Sequence, residues 1–119
     1  MRSKRSHMIA IPLPGQPVRG SKSGEPIMAV FDLLGRNWAM GILWTLNKYG
    51  PDTFRGLQER CGSVSPTVLN KRLKELREAG LVERSDDGYR ATAMGEELYG
   101  MLLPLGAWSQ KWAEVLERR

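Results

Sequence analysis

The most constraining stretch of the chain runs from Ser65 to Leu81, because both ends of a helix are written into it. Ser65 is a strong N-cap. Pro66 takes the first helical position, where a missing N–H costs nothing and a fixed φ suits the helix. Val64, before the cap, can pack on Leu69 as a hydrophobic staple. Gly80 suits the left-handed turn that closes a helix, and Leu81 beyond it can meet Leu76, the apolar pairing of a Schellman stop. The expected helix covers 66–79, about 14 residues and about 21 Å long.

This helix has two chemically distinct sides. At about 100° per residue, with Leu69 as zero, Leu73 and Leu76 fall within about 40° of it and define a core side. Thr67, Lys71 and Lys74 lie on the opposite side. Asn70 and Arg72 flank the stripe. Hydroxyl, amide and cationic groups arranged this way suit the base edges and phosphates of a duplex. The helix N-terminus adds free N–H groups and the positive end of a dipole, which favour a phosphate.

The flanking segments supply the remaining elements. Pro26 opens a helix in which Ile27, Val30, Phe31 and Leu34 recur at helical spacing, and Gly35 stops it. A second helix is expected from about Trp38 to Lys48, with Trp38, Ile42, Leu43 and Leu46 inward and Gly50-Pro51 ending it. Thr53 can cap a short third helix with Phe54 and Leu57 inward, and Gly62 makes the turn into Ser63-Val64-Ser65. After Gly80, residues 81–85 and 89–92 read as strands around the turn residues Asp86-Asp87-Gly88. From Ala93 a last helical segment carries Leu98, Leu102, Leu105, Trp108, Trp112 and Leu116 in register. Pro104 inside it is expected to kink or split it.

The resulting fold class is mainly α with a small β-hairpin: a winged helix-turn-helix with a three-helix core, a two-stranded wing and an additional C-terminal helix. The tight turn before Ser65 makes the 66–79 helix the one that enters a major groove. Ser65, Pro66, Thr67, Asn70, Lys71, Arg72 and Lys74 are the candidate DNA contacts on it. Thr53 and Arg55, at the start of the preceding helix, are candidates for a backbone phosphate. Arg84 and Arg90 on the hairpin are candidates for the minor groove or its flanking phosphates. Asp86 and Asp87 would repel DNA at close range, so the arginines are expected to act from the strand flanks.

Charge needs locating before it supports this reading. The net charge is +5, but residues 1–25 hold Arg2, Lys4, Arg5, Arg19 and Lys22 against Glu25 alone, leaving +1 for the rest. Prolines and glycines interrupt residues 9–25, so 1–25 reads as a flexible basic arm and 26–119 as the domain. Ser6-His7-Met8 has the form of a cloning remnant, so residues 1–7 are a candidate tag remnant with Met8 as the natural start. With 41% apolar residues a folded core is expected. No apolar run reaches the roughly 18 residues of a membrane span and no signal peptide is evident, which points to the cytoplasm.

Enzymatic chemistry has little to work with. The chain has one histidine and one cysteine, with no metal-ligand spacing, phosphate loop or nucleophile elbow. No catalytic, metal or cofactor residue is assigned. Cys61 sits at a helix C-terminus, an unfavourable place for a thiolate. The competing class is a winged-helix module that binds protein instead of DNA. The outward Thr67, Lys71 and Lys74 favour DNA.

Several segments together resemble the HxlR-type regulators. They are Leu33-Leu34-Gly35-Arg36-Asn37-Trp38, Phe54-Arg55-Gly56-Leu57, Ser65-Pro66-Thr67-Val68-Leu69 with Arg72-Leu73, Glu75 through Arg84, Thr92 through Leu98, and Trp108. The resemblance implies a winged-helix homodimer acting on promoter DNA, with dimer contacts from the first and last helices. Here these would be Ile27, Phe31 and Leu34 with Leu102, Leu105, Trp108 and Trp112. The long final stripe, more than one small domain needs, agrees with a partner covering it. Two departures stand out. The reactive cysteine that many members carry before the first helix is missing, and the hairpin is shorter than the family's usual wing. An unknown small-molecule effector is a further expected partner, with Trp44, Met101 and Trp108 as its candidate surroundings.

Overall fold

A computed structural model describes residues 11–119. The elements run α1 (Pro26–Leu34), α2 (Ala39–Tyr49), α3 (Phe54–Arg60), α4 (Pro66–Glu78), β1 (Val82–Arg84), β2 (Tyr89–Ala91) and α5 (Ala93–Glu117). This is the mainly helical winged helix-turn-helix expected from the sequence. The strands pair antiparallel with Val82 opposite Ala91, Glu83 opposite Arg90 and Arg84 opposite Tyr89. The expected cloning remnant at 1–7 lies outside the described residues.

One apolar core joins the helices to the hairpin. Ile42, Leu43 and Leu46 of α2 meet Leu57 of α3, Leu69, Leu73 and Leu76 of α4, and Val82 and Tyr89 of the hairpin. Both ends of α4 form as the local chemistry dictates. Ser65 Oγ accepts the Val68 N–H at 3.2 Å. Gly80 has φ +80°, and the Leu81 N–H reaches the Leu76 carbonyl at 3.0 Å. Val64 and Leu69 are both buried in the core, in keeping with the staple.

The hairpin is short but anchored. Asp52 and Tyr89 exchange backbone hydrogen bonds of 3.0 and 2.9 Å, adding a bridge before α3 to the edge of β2. Gly88 lies so close to this bridge that a Cβ there would collide with the Asp52 carbonyl. The wing is therefore held against the entry to α3.

Three expectations are corrected. Residues 11–25 do not form a free arm. Ile11 is buried, Gly15 donates to the Gly24 carbonyl at 2.8 Å, and both the backbone N–H and guanidinium of Arg19 bind Asp32, at 3.0 and 3.2 Å. A buried carboxylate on α1 holds the segment down. Trp38 does not face inward. It is the N-cap of α2 with φ 70°, and Ala39 takes the buried place behind it. Pro104 does not split the last helix, and α5 continues through it. The carbonyl of Gly100, which loses its N–H partner to the proline, lies on an exposed residue where water can replace it.

Candidate nucleic-acid interface

Burial of the Leu69, Leu73 and Leu76 side chains fixes which flank of α4 is turned outward. Thr67, Asn70, Lys71 and Lys74 are all exposed. They present one hydroxyl, one amide and two ammonium groups over about the first two and a half turns. Pro66 is exposed at the first helical position, beside the capping Ser65. Ser65 Oγ accepts the capping N–H, which shapes the helix start and leaves its O–H as a donor. Thr53 does the same for α3, accepting the Gly56 N–H at 3.0 Å. Arg55, two residues further on, is exposed.

Arg72 leaves the expected set. Its side chain is only 14% exposed. Nε donates to the Asn37 carbonyl at 2.7 Å, and Nη1 lies 3.3 Å from Glu75 Oε1. Glu75 is fully buried and also meets Arg36 Nη1 at 3.1 Å. A buried carboxylate requires such partners, because removing it from water unpaired would cost several kcal/mol. Arg72 thus ties α4 to the α1–α2 turn instead of facing a groove. Arg36 and Glu75 are positioning residues that the sequence reading did not single out. The available signal was Glu75 three residues after Arg72, on the same flank of the helix.

On the wing, Arg90 Nε binds Glu83 Oε2 at 2.8 Å, because the strand register sets the two side chains opposite each other. Both are about half exposed, so the pair is weak and a phosphate could compete for the arginine. The Arg84 guanidinium lies 5.2 Å from the Tyr89 ring centroid, a cation–π contact on an exposed strand. Asp86 and Asp87 are exposed at the tip.

The other expected interface divides. Ile27 and Phe31 on α1 and Leu105, Trp108 and Trp112 on α5 stand exposed. Trp108 and Trp112 stack with their rings 5.8 Å apart. Leu34 does not belong with them, since it is buried in this chain's own core. Leu102 is half-buried against the same core. Trp44, a candidate effector neighbour, packs against α5 with its ring 5.1 Å from that of Tyr99, whereas Met101 and Trp108 are exposed. Burial pushes the Cys61 thiol above its ordinary pKa, and a weak contact with Thr45 Oγ1 at 3.8 Å only partly opposes it.

Residues 33–117 match the model of the HxlR-like helix-turn-helix family. The chain belongs to that family. A transcriptional regulator of the helix-turn-helix type from Methanocaldococcus jannaschii is 30% identical over 93 residues, spanning 74% of this chain and 86% of the relative. Among solved structures, quinone-bound YodB from Bacillus subtilis superposes with TM-score 0.67 at 32% identity, covering 71% of this chain and 96% of that one. A Thermoplasma volcanium protein described as an HxlR family transcriptional factor gives TM-score 0.61 at 29% identity, covering 80% and 87%. The HxlR-like chain is thus a transcriptional regulator of the helix-turn-helix type. In it, the α3–turn–α4 unit is the element that gives the family its name.

Proposed function

We propose that this HxlR-like regulator is a homodimer that reads a palindromic promoter site in double-stranded DNA, inserting α4 of each protomer into a major groove. The observation that carries the reading is the disposition of α4. Its leucines are buried, while Thr67, Asn70, Lys71 and Lys74 are exposed together. Hydroxyl and amide groups can hydrogen-bond base edges, and the lysines can reach guanine acceptors or phosphates. Arg55 and the wing arginines add sequence-independent phosphate attraction at the sides.

The dimer reading rests on the apolar side chains left outside the core of α1 and α5. Ile27, Phe31, Leu105, Trp108 and Trp112 form the proposed contact, with Leu102 at its inner edge. A twofold dimer would place half-sites about one helical turn, or a multiple of one, apart. Quinone is bound by YodB. For this chain we propose no cysteine-based response, because burial raises the pKa of its one cysteine, Cys61, and so disfavours the reactive thiolate.

Selection of bound duplexes from a random pool, followed by footprinting, tests the reading. The expected product is an inverted repeat protected on one face of the helix, with affinity falling steeply as salt rises. Recovery of no common sequence, or affinity independent of salt, would contradict it.

A further inference from the structure

A cleft of about 330 Å³ opens beside α4, between the α1–α2 turn and the 11–25 segment. Four cationic side chains line it, Arg19, Arg36, Lys71 and Arg72, against two carboxylates, Asp32 and Glu75. The net charge of its walls is therefore +2. Both carboxylates are buried and neutralised from within: Asp32 by Arg19, and Glu75 by Arg36 and Arg72. Arg36 and Arg72 are largely buried against Glu75, so Arg19 and Lys71 are the cations that face the opening. Arg19 is 68% exposed, and Lys71 belongs at once to this cleft and to the outward face of α4.

We propose that this cleft holds a backbone phosphate of the bound duplex, gripped by Arg19 and Lys71, with Arg36 and Arg72 fixed behind them by Glu75. The inference rests on the reading of α4 as the groove-entering helix and adds a contact from outside the helix-turn-helix. The physical reason is one of size. A helix with its side chains is about 10–12 Å across and the major groove about 12 Å wide, so cations flanking the inserted helix meet the phosphates of the groove wall. The ion pair between Arg19 and Asp32 then has a second role. It folds the 11–25 segment so that its arginine stands beside the groove.

The test measures affinity for a selected duplex and for a random duplex across a salt series. In Arg19→Gln, both affinities are expected to fall by about fivefold near 150 mM salt, and the slope of log K against log salt to shrink by about 0.9, the signature of one lost phosphate. Arg19→Lys is expected to keep the slope. Asp32→Asn loosens the tie that sets Arg19 beside the groove but keeps the arginine's charge, so it is expected to weaken binding by less than Arg19→Gln. A merely structural tie predicts that Arg19→Gln lowers affinity with the wild-type salt slope. A wild-type slope in Arg19→Gln would therefore overturn the proposal.

Lys74→Gln lies outside the cleft and separates the two levels of the argument. If it weakens binding while Arg19→Gln does not, only the cleft assignment fails. If Lys74→Gln also binds as wild type, the reading of α4 itself has failed. Inorganic phosphate at constant ionic strength provides the last arm. Were it to raise the melting temperature of the wild type but not of Arg19→Gln, with the DNA slope unchanged, the cleft would belong to a free oxyanion and not to the duplex.

Discussion

α4 and α5 are both periodic in apolar residues, yet they place them in opposite surroundings. Leu69, Leu73 and Leu76 of α4 are at most 1% exposed, whereas Leu105, Trp108 and Trp112 of α5 are 54%, 51% and 52% exposed. Periodicity therefore identifies a helix and its apolar face but does not say which molecule covers that face. On α4 the cover is the chain's own core, so the opposite side is left for a ligand. On the C-terminal half of α5 the core has ended. A second copy of the chain is the cover we propose.

The contrast can be broken most severely at its buried end. Leu73→Ala would remove side-chain volume from the centre of the core and is expected to lower stability by about 2–5 kcal/mol, read as a fall in the denaturation midpoint. A loss below about 1 kcal/mol would mean that α4 packs less tightly than described. The exposed end behaves differently if a partner covers it. Trp108→Asp combined with Trp112→Asp is expected to give a monomer in sedimentation at micromolar concentration, with the hairpin and helix-turn-helix intact by circular dichroism and NMR. An unchanged mass would remove α5 from the dimer contact.

A smaller effect separates the two flanks of α4 itself. Arg72→Ala would strip one partner from buried Glu75 while Arg36 remains, for an expected cost of about 1–3 kcal/mol in stability. Lys71→Ala, in contrast, is expected to melt like the wild type. Equal melting of the two variants would show that the Arg72 network contributes nothing to the fold. The smallest effect concerns Cys61. Its thiol pKa is raised in the folded chain, so the folded state holds this proton more tightly than the unfolded state does. The associated stability is present below the ordinary thiol pKa and is lost as the pH rises through the raised value. Stability should therefore decline at alkaline pH slightly more in the wild type than in Cys61→Ser, and alkylation near pH 8 should be slower than for a free thiol.

What could be read from the sequence was local. Ser65-Pro66 and Gly80-Leu81 mark the ends of α4 through contacts no more than five residues apart, and those contacts form as expected. Thr53 likewise caps α3. The misreadings were long-range. Arg72 turns inward because it finds the carbonyl of Asn37, 35 residues earlier. The 11–25 segment folds back because Arg19 finds Asp32 on α1. Leu34 and Leu105 occupy equally apolar stripes, and only the packed chain distinguishes the buried leucine from the exposed one. Trp38 adopts a left-handed conformation that side chains other than glycine rarely take, and no residue pattern announces it.

The outward flank of α4 is tested most directly by Lys71→Ala combined with Lys74→Ala, titrated by fluorescence anisotropy against the selected duplex at one fixed salt concentration. With melting temperature and sedimented mass unchanged, the account expects affinity to fall by at least about tenfold, the equivalent of one base contact or more. Wild-type affinity in this folded double variant would contradict it.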